Sequence, residues 1–241
     1  PSITPNSAEL LWESPSGLIT GLGYNSEEKT ISFIASTLEG NALIAAKDEN
    51  GDIIWSWHIW CTDQPAEHIY SNNAGTLMDR NLGAVSATPG DPGALGLYYQ
   101  WGRKDPFVGS SAIGVYTPKK TTYKWPGKVT SNESRGTIEY SIEHPTTYIA
   151  GNTDWLYISS SGNNRWNHSK TIYDPCPPGW RVQDESVWMN AGLTYGSFDT
   201  SNKGITFTGG VDNNAWYPAS GFLESDYPTV TYIGSYGDYW S

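Results

Sequence analysis

Residues 53–60 read "IIWSWHIW", and the periodicity of this run decides the class of fold. Three tryptophans in six positions, Trp55, Trp57 and Trp60, pose a choice between a sugar-stacking platform and core. In a strand, successive side chains point to opposite faces. Ile53, Trp55, Trp57 and Ile59 therefore share one face, and Ile54, Ser56, His58 and Trp60 share the other. The first face is wholly apolar. An exposed row of two Trp and two Ile would be an aggregation-prone patch, so the alternation assigns Trp55 and Trp57 to core, with Trp60 beside them.

Outward from that strand the pattern stays β. The runs "AELLW", "GLITGLGY", "TISFIAS" and "ALIAAK" precede it, each bounded by Gly, Asn, Ser or charged turn residues. Between "ALIAAK" and the tryptophan strand stands "DENGD", where Asn50-Gly51 supplies the positive φ angles of a tight hairpin turn. Asp48, Asn50 and Asp52 also have an alternation used by calcium loops, but the glycine falls too early for the helix-loop-helix pattern. Residues 1–62 are thus expected to form a β-rich N-terminal segment or small module.

After Asp63 the chain becomes irregular and punctuated by Gly and Pro. Two short helices are expected there. One lies near "ALGLYYQWGR", where Leu97 and Trp101 are four apart; the other is "DESVWMNAG", with Asp184 as cap, Glu185 in the first turn and Gly192 as stop. Residues 109–170, rich in Ser, Thr, Asn and Tyr, read as long loops with short strands, the kind of surface where ligands are met. These elements describe a loop-rich, β-dominated chain and leave all-β and α+β open.

Composition narrows the function. The aliphatic supply is thin, and 12 Trp and 16 Tyr replace it with rings that bury area and still hydrogen-bond at an edge. With 25 acidic against 14 basic residues the formal charge is -11, which opposes a phosphate-binding nucleic-acid surface and an anionic membrane. No run approaches the roughly 18 apolar residues of a membrane-spanning helix. The two cysteines, Cys61 and Cys176, fit neither a redox pair nor a zinc cluster; one long-range disulfide is favoured over two separately buried thiols.

Enzyme signatures are missing. The four histidines, His58, His68, His144 and His168, have no metal-binding helical spacing, and there is no nucleophile elbow or phosphate loop. Asp79 and Arg80 in "MDRNLGA", and Arg103, Lys104 and Asp105 in "WGRKDPF", read as ion pairs that anchor structure. Ligand-binding candidates are instead aromatics in loops flanked by Asn, Asp and Arg: Trp166 and Asn167 in "NNRWNHS", Trp216 and Tyr217 in "DNNAWYPASG", and Trp155 and Tyr157 in "NTDWLYISS". A neutral sugar needs this combination of an apolar face and hydrogen-bonding amides or carboxylates.

Taken together, "GNALIAAKDENGDIIWSWHIWCTD", "MDRNLGA", "GLYYQWGRKDPF", "DPCPPGWRV" and "YPASGF" ending in "GDYWS" resemble the Fibrobacter succinogenes major paralogous domain family, as found in fimbrillin-like surface proteins of Bacteroidetes. The likeness runs over about residues 8 to 241. It implies the α+β class, with small antiparallel sheets, two short helices and long loops, as a C-type lectin-like domain over residues 63–241, and a secreted or lipid-anchored surface protein. Against the family pattern the chain looks trimmed at both ends, and Gln183 stands where Pro is usual, a change expected to alter only the turn. The calcium-binding triplets of sugar-binding C-type lectins are not intact; Trp166-Asn167-His168 is the nearest echo, with His in place of the carboxylate.

The resulting expectation is a non-catalytic, extracellular adhesion or binding domain that recognises a glycan or host surface ligand, with calcium possible but supported by no motif. The alternatives are a structural subunit of a surface appendage, assembled with other subunits by strand addition, and, less favoured, a glycan-active enzyme. Cys61 is expected to tie the tryptophan strand to the "CPPGW" turn.

Overall fold

The computed structural model describes residues 3–70, 74–109, 127–151, 154–157, 165–189, 194–208, 215–224 and 229–240. Its first half holds five strands: β1 (Ser7–Ser14), β2 (Ile19–Asn25), β3 (Thr30–Ala35), β4 (Gly40–Lys47) and β5 (Ile53–Cys61). All five lie where the apolar runs place them. β1, β4 and β5 form an antiparallel sheet with β4 in the middle, and β2 and β3 form a separate hairpin.

Register shows how this sheet is used. Ala42 opposes Ile59 and Ile44 opposes Trp57, so these residues share a face. Ala42, Ile44 and Ile59 pack with Leu18 and Ile19, and with Leu22, Ile31 and Phe33 of the hairpin. The opposite face carries Asn41, Ser56, His58 and Trp60 and meets the second half of the chain. Asn41 donates to the Gly83 carbonyl at 2.8 Å, the Trp60 indole to the Ala84 carbonyl at 3.0 Å, and Ser56 to the Asp105 carboxylate at 2.7 Å. With both faces covered, β4 is buried from Gly40 through Ala46, which accounts for its unbroken apolar run from Ala42 to Ala46.

The expectation for Trp57 is overturned. It is 37% exposed, whereas the small Ser56 is buried, because the polar face docks on the second half and the hairpin cover stops short of Trp57. Trp55 is partly buried with the Lys104 ammonium 4.5 Å from its ring centre. In the hairpin turn only Gly51 has positive φ, at 86°; Asn50 does not. The Asp48 carboxylate accepts from the Asn50 and Asp52 amides, both at 2.9 Å, and builds a longer turn than the expected two-residue form.

The second half is strand-rich and assembled from small pieces. β6 (Glu67–Tyr70) pairs with β7 (Gly75–Met78), and β8 (Gly127–Thr130) runs parallel to β9 (Thr147–Ala150). β10 (Thr194–Asp199), β11 (Gly204–Thr208) and β12 (Ala215–Pro218) form an antiparallel sheet, and β13 (Phe222–Leu223) pairs with β14 (Val230–Thr231). Two short α-helices stand among the described residues, α1 (Ile138–Glu143) and α2 (Glu185–Met189). The arrangement is α+β with small, mainly antiparallel sheets.

One expected helix is real and one is not. α2 falls within "DESVWMNAG", although its expected stop, Gly192, lies outside the described residues. The 3-10 turn Pro92–Ala94 ends where "ALGLYYQWGR" begins, and the phrase itself is irregular, with Tyr98 bridged to Phe107. Gly96 and Gly102 have φ of 74° and 79°, a left-handed conformation that ends a right-handed helix. A side chain at Gly96 would strike Asn81 and the Leu82 carbonyl at 2.7 and 2.8 Å. α1 was not legible, although Thr137 caps it by accepting from the Tyr140 amide at 3.0 Å.

Arg103 joins these pieces. Only 2% exposed, it donates to the carbonyls of Thr147, Ser141, His144 and Pro145 and to Gln100 Oε1. The last carbonyls of α1 thus meet a cation. Burial lowers its pKa to about 10, which leaves it charged at neutral pH. Next to it, Lys104 and the buried Asp105 pair at 2.7 Å, and Lys104 also donates to the Ser56 carbonyl at 3.0 Å. The "GRKDPF" phrase is therefore structural anchoring, as its flanking rings suggest.

Two outcomes test this frame. Arg103→Lys keeps the charge but cannot reach the same carbonyls, so chemical denaturation should show a loss of about 3 kcal/mol. Partly buried His58, whose Nε2 lies 2.9 Å from Asn41 Oδ1, has its pKa lowered from 6.5 to about 4 by burial. Between those values the unfolded chain binds a proton that the folded chain does not, so stability falls as pH drops through that window. The loss is up to about 3 kcal/mol, less what the accessible part of the ring recovers from water. Urea titrations at pH 7 and 4.5 should show a steeper decline for wild type than for His58→Gln.

Candidate functional site

The "DPCPPGWRV" phrase is organised by one carboxylate. Asp174 is buried and accepts from the Cys176 and Val182 amides, both at 2.9 Å, and from the Lys170 ammonium at 2.9 Å. Pro175, Pro177 and Pro178 restrict the loop, and the Trp180 amide closes a turn on the Pro177 carbonyl at 3.0 Å. Trp180 and Arg181 are thereby presented at a fixed place. Arg181 pairs with Asp184 at 2.6 Å and holds that carboxyl below its usual range.

A stacked wall stands beside this loop. The Arg165 guanidinium, 3% exposed, pairs with Asp154 at 2.6 Å and lies 4.5 Å from the Trp101 ring centre and 5.2 Å from that of Trp155. The Trp155 indole donates to the Trp101 carbonyl at 2.7 Å. Gly102 permits this approach, since a Cβ there would lie 2.8 Å from Arg165 carbons. Trp166 packs 5.9 Å from Trp101 and donates to the Tyr173 carbonyl at 2.9 Å.

An aromatic cluster forms the facing side. Trp188 of α2 meets Phe207 of β11, Tyr217 of β12 and Tyr239 at ring distances of 5.4, 6.2 and 5.8 Å. Tyr217 donates to the Met78 carbonyl at 3.0 Å and Tyr239 to the Pro218 carbonyl at 2.5 Å. The C-terminal segment crosses the rim: the Trp240 indole donates to the Tyr99 carbonyl at 2.9 Å, and Gln183 Nε2 donates to the Trp240 carbonyl at 2.6 Å. Gln183 therefore does more than alter its turn. It ties the rim to the proline-rich loop.

Between these walls lies a cleft of about 550 Å³, within the range of small-molecule sites. Trp101, Trp155, Trp166, Trp180 and Trp240 contribute to its lining. The arginines at the cleft are already matched, whereas the exposed Asp238 carboxylate lines it with no ion pair among the described residues. Arg80 is held by Asp79 and Asp63 at 2.8 and 2.6 Å, as the reading of "MDRNLGA" requires, and Arg165 and Arg181 have their own carboxylates. Two lining groups differ: the Tyr99 hydroxyl and the Trp188 indole N–H are buried and have no hydrogen-bond partner. Burial, with Cys176, Asp105 and Asp174 nearby, pushes the Tyr99 pKa well up, so it stays a protonated donor. Both groups call for acceptor oxygens.

The six expected ligand residues separate into three groups. Trp155, Trp166 and Tyr217 line the cleft but are 4%, 7% and 6% exposed, so each gives it an edge or a limited face in place of an open loop platform. Trp216 is 8% exposed and packs against Gly204, where a Cβ would strike its indole at 2.5 Å. Tyr157 and Asn167 are exposed and are not among the lining residues. The half-exposed Trp240, and the Tyr99 and Trp188 donors, were missed. Trp240 sits in the quoted "GDYWS", but only tertiary contact brings it to the cleft.

The expected disulfide is not formed. Both thiols are free. Cys61 packs in the cluster under the β2–β3 hairpin, on the face of β5 turned away from the second half. Cys176 lines the cleft, and burial raises both thiol pKa values. Among the described residues no group of three or more His, Cys, Asp or Glu is placed to hold a metal ion, and no helix is long and apolar enough to cross a membrane. The Asp48 loop oxygens are occupied by turn amides.

The fold and cleft define a strand-rich α+β chain with an aromatic concavity whose arginines are paired. Comparison with protein-family models, with characterised proteins and with solved structures gives no match. Denaturation without reductant should release two thiols per chain to a thiol reagent, whereas the native protein should react slowly at Cys176; detection of fewer than two would restore the bridge.

Proposed function

We propose that this chain is a non-catalytic, extracellular binding or adhesion domain of a bacterial surface or fimbrial protein, C-type lectin-like in fold, that takes a neutral glycan in the aromatic cleft. One observation carries the reading: a concavity lined by indole rings, with its arginines paired, in which the Tyr99 hydroxyl and the Trp188 N–H lack acceptors. Ring faces suit the C–H surface of a pyranose, and the two donors suit its oxygens. A net charge of -11 favours a neutral ligand over an acidic one.

The surface and fimbrial assignment rests on the family resemblance, and the mode of binding rests on the cleft. Calcium plays no part in this mode, which relies on rings and fixed donors.

A glycan array with wild type, Trp240→Ala and Tyr99→Phe, each in calcium and in chelator, tests the proposal. Trp240 is 51% exposed, so its removal should leave the fold intact. Specific binding should weaken about tenfold or more in Trp240→Ala and less in Tyr99→Phe, with no effect of chelator. Silence of the folded wild-type protein on the array would favour the structural-subunit alternative.

A further inference from the structure

The cleft wall does not end at its rim. Phe222 lines the cleft, and its outer side stacks on Tyr232 with ring centres 5.5 Å apart and planes inclined by 26°. Tyr232 in turn meets Tyr236 edge-to-face at 5.2 Å. Tyr232 and Tyr236 are 41% and 61% exposed. A row of rings thus runs from inside the cleft onto the open surface.

These exposed rings are held in place by their backbone. Val230, Thr231 and Ile233 are all 0% exposed, so the turn is anchored in core on both sides of Tyr232. The Tyr236 amide donates to the Tyr232 carbonyl at 3.1 Å, and the Tyr236 carbonyl accepts from the Gly221 amide at 2.7 Å. Tyr232 has φ of 60°, a left-handed conformation that is costly for an aromatic residue and is usually given to glycine. Keeping tyrosine there spends stability on an outward ring. Such unfavourable conformations persist at ligand clamps and related functional sites.

We infer that Tyr232 and Tyr236 form an outer subsite continuous with the cleft, and that the ligand is a neutral oligosaccharide chain of several units and not a single terminal sugar. The inference rests on reading the cleft as a glycan site. The inner part supplies buried donors, indole faces and the exposed Asp238 carboxylate as an acceptor, and the outer part supplies a braced ring face. Each further unit that reaches the outer rings adds contact area without a new charge. Preorganised rings lose little freedom on binding.

Isothermal titration with cello-, manno- and malto-oligosaccharides, from disaccharide to hexasaccharide, tests the inference. In at least one series wild-type affinity should rise with length. Tyr236→Ala should bind the hexasaccharide about five- to tenfold more weakly while leaving the disaccharide unchanged. Tyr232→Gly should raise the thermal midpoint and produce the same selective loss, a pairing that a merely structural role for the ring would not give. Affinity independent of length, or a hexasaccharide bound equally by Tyr236→Ala and wild type, overturns the outer subsite and leaves the cleft reading standing. Absence of binding at every length overturns both, as does capture of a proline-rich peptide in preference to all the saccharides.

Discussion

Double burial of β4 is the constraint on which the rest of the molecule depends. A strand covered on both faces loses the apolar–polar alternation, and "GNALIAAK" is apolar from Ala42 to Ala46, with Ala42 and Ile44 toward the hairpin and Leu43 and Ala45 toward the second half. Its neighbour β5 inherits two different duties. One side closes the small core with Ile59 and Cys61. The other presents Ser56 and Trp60, bonded to Asp105 and Ala84, while His58 bonds Asn41 of β4, which itself donates to the Gly83 carbonyl. The first half is thereby held to the loops around residues 80–105, from which one wall of the cleft is built.

The second half solves a different problem, which is how to hold long loops without long elements. Its described α-helices are five or six residues, too short to be stable alone. Buried charges replace regular structure as the organising device. Arg103 gathers the carbonyls at the end of α1, Asp174 gathers the amides of the proline-rich loop, and Arg165 is clamped between Asp154 and two indoles. Each is hydrogen-bonded closely enough to offset much of the cost of leaving water. Because these charges are spent on the frame, the cleft between them offers rings and two uncharged donors.

What could be read from residues alone follows from the range of the interactions. The five first-half strands were legible because strand alternation and turn residues are local. α2 was legible for the same reason. The helix expected at "ALGLYYQWGR" failed because Gly96 and Gly102 are placed for close approach to Asn81 and Arg165, partners remote in sequence. Trp57 failed because alternation identifies two faces but cannot say which of them meets a partner. Of the expected loop aromatics, Trp155, Trp166, Trp216 and Tyr217 turned inward and Tyr157 stayed open away from the cleft, while Trp240, Tyr232 and Tyr236 are open rings that were not singled out.

The sequence by itself determined the β-rich first half, a loop-rich and strand-dominated class, the anchoring duty of "GRKDPF", and a charge unsuited to anionic partners. Tertiary structure alone decided the separation of Cys61 from Cys176, the polar docking face of β5, and the convergence of segments around residues 99, 165, 180, 217 and 240 on one cleft. The division has a physical reason. Periodicity and turn chemistry act within a few residues, whereas a cavity and its unpaired donors exist only once distant backbones have been brought together and their other partners assigned.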